Sequence, residues 1–409
     1  MNCRHCGSPL DWEVIDLGYS PLANSYLPSI ELQSEERLFP LRVMVCNGCF
    51  LVQTVDVTSP EEIFKSDYAY FSSTSRSWLE HATKFTEMAV SRFNIKPESR
   101  VIEIASNDGY LLRNFLAKGI SCIGIEPTSS TAMAAVAQGI PVIVEFFTER
   151  LAERLNSNGI LADMIICNNV YAHVQDINDF TRGLKALLKS NGVISMEFQY
   201  VLDLIDNSQF DTIYHEHFSY LSLTTVLHIF DRFGLRIWHV ERLSTHGGSL
   251  RVYGCHSSDV RPPEESVQQL LDEEASKGVN RSEYYSKLQV EADRISTELK
   301  SHLSARFHQG IRTEAYGAAA KGVTLITYAK IDKELLPRIF DAAPSKQGKY
   351  IPGSSIPIRP LTELFDDPPD ELLILPWNIA REIIYQLKPL RERGVKFLVA
   401  IPSVTYLPQ

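Results

Sequence analysis

The chain has 409 residues, 44% apolar and 22% charged, which excludes a disordered polymer and favours two or three globular domains over one. Its formal charge of −10 comes without a dense Lys/Arg stripe, which argues against duplex nucleic acid as a partner. No run approaches about eighteen consecutive apolar residues, and the opening MNCRHCGSPL lacks a basic-then-apolar leader, so a cytoplasmic chain with no membrane span is expected.

Seven cysteines in a reducing compartment read as metal ligands or buried thiols. Four of them form Cys3-x-x-Cys6-Gly7 and Cys46-Asn47-Gly48-Cys49. Each knuckle offers two thiolates from one tight turn, whose geometry Gly7 and Gly48 permit. Two knuckles close a tetrahedral zinc shell with no open position, so a structural zinc is expected. The competing reading is two redox pairs or incidental thiols. The module is expected to span residues 1–65, with short strand-like runs such as 41–45. Cys122, Cys167 and Cys255 fall on predicted strands and read as buried small hydrophobes.

Beyond it, apolar runs at 101–105, 122–125, 142–144, 164–167 and 193–198 alternate with helical patterns, which predicts a parallel sheet flanked by helices. Runs at 235–240 and 250–253 have no long helix between them and predict an antiparallel final pair. Five alternating units closed by such a hairpin fit the seven-stranded, Rossmann-like sheet of S-adenosylmethionine (SAM)-dependent methyltransferases, here over residues 66–256.

The first run passes into Glu103-Ile-Ala-Ser106-Asn107-Asp108-Gly109, a strand, a tight polar loop and a helix start. Ligands bind at such strand ends in doubly wound sheets. Gly109 is expected to let the backbone approach a ligand. Glu103 and Asp108 place negative charge where a pyrophosphate is unfavourable and cationic SAM is suited. The loop is not G-x-G-x-x-G, which weakens a dinucleotide reading. Glu126-Pro127 ends the next strand, with a carboxylate placed for both ribose hydroxyls of an adenosine or, alternatively, lying at the surface. Asn168 and Asn169 end the fourth strand, where a methyltransferase usually lines its cofactor and acceptor.

Tyr214-His215-Glu216-His217 follows the fifth strand, ahead of a helix starting near Leu221. Four protic side chains make poor core and suit a loop over an active-site mouth. Either histidine has the pKa of a general base. Glu216 is suited to hold a histidine tautomer or to contact substrate, and Tyr214 to donate to an oxyanion. A metal pair and a solvated turn are the rival readings. His173 is expected to face the same cleft. Asp67-Tyr68-Ala-Tyr70-Phe-Ser-Ser reads as a lid or as domain packing.

A charged linker at 259–265 leads to a long polar helix at 281–307. Strands at 314–316, 338–340, 372–375 and 396–401 then alternate with helices at 324–328 and 379–390. They predict a smaller, Rossmann-like α/β domain over residues 257–409. Its Gly317-Ala-Ala-Ala-Lys321-Gly322 loop joins a strand to a helix start, which presents backbone N–H groups to a phosphate beside the Lys321 charge. A tightly packed turn is the alternative.

In several motifs together the chain resembles the sugar C-methyltransferases that act on nucleotide-linked 4-keto-deoxysugars. Asp16-Leu-Gly18, Pro21-Leu-Ala-Asn24 and Cys46-x-x-Cys49-x-x-Val-Gln53 resemble that family's zinc-binding domain. Glu103 through Gly109 resembles its cofactor loop. Asn169-Val-Tyr-Ala-His173 and Tyr214-His-Glu-His217-Phe-Ser-Tyr220 resemble its catalytic segments. His246-Gly-Gly-Ser-Leu-Arg251 resembles its last strand pair. Tyr316 through Gly322 and Asp341 through Pro352, with Lys346, resemble its C-terminal domain. The resemblance implies that a base removes the proton on carbon 3 and that the enolate carbon attacks the SAM methyl. It makes His217 the base. It gives Tyr214, Glu216 and His173 the positioning of sugar and enolate, an oxyanion-hole role. It assigns substrate contacts to Tyr68 or Tyr70, His215, Lys321 and Lys346. The alternatives are a nicotinamide-dependent oxidoreductase acting on a nucleotide sugar, with Asp341 as ribose acid, a methyltransferase of another acceptor, and a zinc-anchored scaffold.

Overall fold

The computed structural model describes residues 1–29, 36–57 and 71–408. Its strands fall into three sheets. β1 (Trp12–Ser20), β2 (Phe39–Val45) and β3 (Val52–Thr54) pair antiparallel as the N-terminal sheet. β4 (Arg100–Ile104), β5 (Ser121–Ile125), β6 (Val142–Ile143), β7 (Ala162–Asn168) and β8 (Leu188–Gln199) alternate with helices and pair parallel. β9 (Ser219–Tyr220) leaves this region and pairs with β3, so it forms the fourth strand of the N-terminal sheet. β10 (Leu235–Leu243) and β11 (Ser249–His256) complete the central sheet, whose order is β10-β11-β8-β7-β4-β5-β6. β11 runs antiparallel to both of its neighbours, β10 and β8. This is the seven-stranded methyltransferase sheet expected from the sequence.

The third sheet contains β12 (Thr313–Tyr316), β13 (Ile339–Phe340), β14 (Ile358–Arg359), β15 (Glu371–Ile374), β16 (Lys396–Val399) and β17 (Thr405–Tyr406), ordered β14-β13-β12-β15-β16-β17. All are parallel except β17. β14 and β17 have two residues each, too few to show a period in the sequence.

The long polar helix is Ser282–His308. The linker expected at 259–265 gives way to a further helix, Glu265–Lys277, which buries Val267, Leu270 and Glu274 on one face. Glu274 accepts the Leu223 and Thr224 N–H groups at 2.7 and 2.8 Å. Those are orphan donors at the start of helix Leu223–Arg232, and a carboxylate there also complements the helix dipole. The helix expected at 379–390 is two, Ala380–Gln386 and Lys388–Glu392. Pro389 lacks the N–H needed to continue the first.

One contiguous apolar core runs through all three sheets, from Val14 and Ile15 through Ile104 and Phe198 to Ala315 and Ile339. Polar ties reinforce it. Thr324 donates to the Ile213 carbonyl at 2.8 Å, and the Trp377 indole donates to Asp211 at 2.7 Å. Leu27 and Tyr350 exchange backbone hydrogen bonds between the N-terminal and C-terminal parts. Among the described residues, no helix is long and apolar enough to cross a membrane.

Candidate active site

A cavity of about 680 Å³ opens where the three sheets meet, a size typical of small-molecule sites. Strand ends of the central sheet and the loops that follow them contribute Asn107, Glu126, Pro127, Asn168, Asn169 and His173, and the segment leading into β9 contributes Tyr214, Glu216 and His217. The C-terminal part contributes Lys321 and Lys346. These expected site residues are thus brought together from segments far apart in the chain.

The cofactor loop behaves differently from its expectation. Ala105, Asn107 and Gly109 are left-handed, with φ of 56°, 51° and 78°. This alternation turns Ala105 and Asn107 to the cavity and leaves Ser106 and Asp108 off its wall. Ser106 packs at Gly124, and Asp108 accepts the Ser73 N–H at 3.1 Å. Gly109 is off the wall too. A Cβ there would lie 2.4 Å from Ile140 Cδ1 and 3.1 Å from Ala135 Cβ. Close packing in a left-handed turn accounts for a glycine here. Gly109→Ala is therefore expected to cost about 2 kcal/mol or more in stability, from positive φ and overpacking together, measured by denaturant unfolding. Glu103 is also buried off the wall. Burial, with Glu126 and Asp108 near by, pushes its carboxyl well above the usual carboxylate range, which disfavours the negative charge expected of it.

Glu126 stands at the cavity wall. Its carboxylate accepts the Asn107 and Thr128 N–H groups, each at 2.9 Å, and the Thr128 hydroxyl. A carboxylate has about four acceptor directions. To take both hydroxyls of a ribose, Glu126 must therefore release one of these partners. Asn168 is buried at the wall, and neither its amide oxygen nor its amide nitrogen has a hydrogen-bond partner among the described residues. Ile125, Phe147 and Phe180 supply an apolar wall near by. An adenosyl group fits this set: an acceptor for ribose, an orphaned amide for a polar edge, and apolar side chains for a ring face.

At the reacting end, Tyr214 through His217 follow a short helical turn, Phe210–Thr212, and run straight into β9. His217 Nδ1 lies 2.9 Å from the Thr212 carbonyl. A carbonyl only accepts, so Nδ1 holds the proton and Nε2 keeps a lone pair. The His217 ring lies 4.1 Å from that of Tyr214, 4.7 Å from His173 and 5.8 Å from Tyr220. Burial, with His173, His246 and Lys321 near by, pushes His217 well below the ordinary imidazole value. Burial also takes His173 down to about 4. Both imidazoles are neutral at neutral pH.

His215 departs from its expected substrate role. It is off the cavity wall, its Nε2 is 3.3 Å from the Pro40 carbonyl, and its ring edges onto Phe39. Packing against β2 accounts for it. Tyr68 and Tyr70 lie outside the described residues.

Lys321 donates to Asn378 Oδ1 at 2.7 Å and lies 4.7 Å from the centre of the Trp377 ring. Lys346 donates to the Ala318 carbonyl at 2.8 Å. Asp341, the acid that an oxidoreductase would direct to a ribose, instead accepts the Ala318 N–H on one oxygen and the Ala343 N–H on the other, at 2.8 and 2.7 Å.

Further residues without an assigned role in the sequence shape the reacting end of the site. Asn24, from the N-terminal module, donates to Glu216. Thr54, beside β9, donates to the His217 carbonyl at 3.1 Å. Trp78 and His246 line the cavity. Asn24 and His246 stand inside recognisable motifs, but their spacing shows no meeting with the site.

The four knuckle cysteines gather their sulfur atoms within 4.8 Å of one another. The closest pairs, Cys3–Cys49 and Cys6–Cys46, lie at 3.5 and 3.4 Å. That is too long for a disulfide and close to the edge of a tetrahedron around zinc. The Gln53 amide and the Gly48 N–H approach Cys3 and Cys46 sulfurs at 3.3 Å each, as donors that steady thiolates. The left-handed residue of each knuckle follows its second cysteine: Gly7 at 78° and Phe50 at 59°. Gly48 is not left-handed, contrary to the expectation that the turn needs it there. Cys122, Cys167 and Cys255 are buried.

Family comparisons fit this arrangement. Residues 3–64 match a zinc binding domain, 78–240 a methyltransferase domain, and 244–402 a C-methyltransferase C-terminal domain. The C-methyltransferase NovU of Streptomyces niveus is 33% identical over 405 residues, covering 98% of this chain and 95% of NovU. The chain belongs to this C-methyltransferase family. It is a SAM-dependent C-methyltransferase with a structural zinc held by Cys3, Cys6, Cys46 and Cys49. Among solved structures, the PH0226 protein of Pyrococcus horikoshii OT3 aligns at 12% identity and TM-score 0.38, over 49% of this chain and 100% of its own. The SAH-bound magnesium protoporphyrin IX methyltransferase of Synechocystis PCC 6803 aligns at 16% and 0.36, over 44% and 83%.

Proposed function

We propose that this methyltransferase adds a methyl group to carbon 3 of a nucleotide-linked 4-keto-deoxysugar. The observation that carries the reading is His217, a buried neutral imidazole whose Nδ1–H is fixed on the Thr212 carbonyl. Its Nε2 lone pair is thereby kept for a proton, as a general base requires. The ketone acidifies the neighbouring C–H. Nε2 takes that proton, and the electron pair moves onto the carbonyl oxygen as an enolate. Tyr214 and His173, packed on His217, position the sugar. Glu216, tied to Asn24, holds its polar edge. Asn107, Glu126, Pro127, Asn168 and Asn169 hold SAM, which supplies an electrophilic methyl group.

Lys321 and Lys346 are assigned to the nucleotide diphosphate, together with the first turn of helix Ala320–Tyr328. A charge-assisted hydrogen bond contributes about 1.5–3 kcal/mol. Lys321→Ala is accordingly expected to raise KM for the sugar nucleotide by about 10–100-fold, with SAH binding retained. Steady-state kinetics and a thermal-shift titration with SAH check the two halves.

The direct test incubates the protein and SAM with a panel of nucleotide 4-keto-sugars, read by mass spectrometry. One added methyl per sugar and one SAH per turnover are expected. SAH formed with some other acceptor, and none with the panel, overturns the sugar assignment. Stabilisation by SAH and nucleotide diphosphates but not by NAD(H) separates this reading from the oxidoreductase.

A further inference from the structure

The turn between β10 and β11, Thr245–Gly247, is held on three sides. Thr245 donates to Glu197 Oε1 at 2.8 Å. The other Glu197 oxygen takes Arg251 at 2.8 Å and His81 at 2.9 Å. The His81 ring stacks on Trp78 at 4.8 Å, and Trp78 meets His246 edge-on at 5.1 Å. From the C-terminal part, Trp377 lies so close that a Cβ on Gly247 would come within 2.4 Å of it. Gln209 also donates to the Gly247 carbonyl at 2.7 Å.

This frame fixes His246 at φ 54°, on the cavity wall. A left-handed, non-glycine residue held by its surroundings is a pointer to function. Its ring protonation is set by Asn169, whose Nδ2 lies 3.4 Å from His246 Nε2. An amide NH₂ only donates, so Nε2 accepts and the proton sits on Nδ1. His217 is the same tautomer with the other nitrogen engaged: its Nδ1–H is committed to Thr212 and Nε2 is left as acceptor. Burial takes His246 down to about 4, so it too is neutral at neutral pH. Both side chains line the cavity, and the nitrogen left over is an N–H on His246 and a lone pair on His217.

We propose that His246 is a second catalytic histidine, whose Nδ1–H donates to the carbonyl oxygen of the acceptor while His217 Nε2 removes the neighbouring proton. The inference rests on the enolate reading above. As the C–H bond breaks, the proton goes to His217, the pair enters the new C–C double bond, and the carbonyl π pair moves onto oxygen. His246 stabilises that oxygen without losing its own proton. A neutral imidazole acting as electrophile suits an enolate, and an oxyanion donor of this kind is worth about 10²–10³-fold in rate.

The test isolates the proton step. Thymidine diphosphate 4-keto-6-deoxyglucose is incubated in D₂O with the full chain and SAH, and deuterium at carbon 3 is followed by NMR. His246→Asn, which tolerates a left-handed backbone, is expected to slow exchange by about 100-fold or more, with SAH affinity within twofold of wild type. His246→Gln, whose amide N–H reaches further, is expected to recover at least about tenfold of that loss. Exchange by His246→Asn at the wild-type rate overturns the proposal alone. SAH affinity falling as far as exchange also overturns it, and moves His246 to the cofactor pocket. No exchange by the wild-type protein with this sugar nucleotide or with any other 4-keto-sugar of the panel overturns the enolate reading, and this proposal with it.

Discussion

His217→Ala is expected to lower turnover by about 10²–10⁴-fold while SAH still stabilises the protein in a thermal-shift titration. The substitution removes the Nε2 lone pair and leaves the cofactor wall at Glu126 and Asn168 untouched. It also strips the Thr212 carbonyl of its hydrogen bond, which is expected to cost about 1–3 kcal/mol of stability. The pH profile gives an independent check. Since His217 is held well below the ordinary imidazole value, Nε2 is unprotonated throughout the neutral range. kcat/KM is therefore expected to stay level with respect to this group from neutral pH down through the usual histidine range. It falls only at lower pH, where protonation takes the lone pair. A steep fall centred near pH 6.5, or turnover of the alanine variant within threefold of wild type, removes His217 from the base role.

Removal of zinc is expected to abolish turnover and lower the unfolding temperature together. Structural zinc sites contribute apparent free energies on the order of 10 kcal/mol to folding, more than the net stability of many domains. The knuckles are tied directly to the reacting segment. β3 begins just after Cys49 and pairs with β9, Val52 with Tyr220 and Gln53 with Ser219. Thr54 then holds the His217 carbonyl, and Gln53 donates to the Cys3 sulfur. Losing the metal releases one side of the loop that contains Tyr214 through His217. Dialysis against a chelator, with metal content, melting curves and turnover followed on the same sample, checks this, and Cys46→Ser provides a second route. Full turnover by metal-free protein would falsify the coupling.

Most of the central sheet was legible because its strands are apolar runs punctuated by turns. Residues 101–105, 122–125 and 164–167 lie within or next to β4, β5 and β7. β8 begins well before its apolar stretch, through Lys189, Ser190, Asn191 and Gly192, because helix Ile177–Leu187 runs directly into it and pairing, not composition, sets its start. The helix Glu265–Lys277 was hidden by its charge, since only Val267, Leu270 and Glu274 turn inward. At the site, His173 was legible as a protic residue following a strand, and Tyr214, Glu216 and His217 as a protic run, although a helix and the turn Phe210–Thr212 separate that run from β8. His215 was not separable from its neighbours, because adjacent residues in an irregular loop face in directions that only the pairing of β9 decides. His246 looked like part of a hairpin turn. Its place on the cavity wall depends on Glu197, Trp78 and Trp377, and no local pattern encodes a meeting of four distant segments.

The two-residue strand β9 also sets an order of events for the growing polypeptide. The knuckle cysteines leave the ribosome first, yet their sheet lacks its last strand until residues 219 and 220 have been made. Until then β3 is an open edge, with backbone donors and acceptors ready to pair with any extended chain, and closing so long a loop is slow. A fragment that stops short of residue 219 keeps that edge exposed permanently. Aggregation of such fragments, and its relief when the chain is extended past Tyr220, is the expected signature of a module whose final strand is supplied by the loop it holds in place.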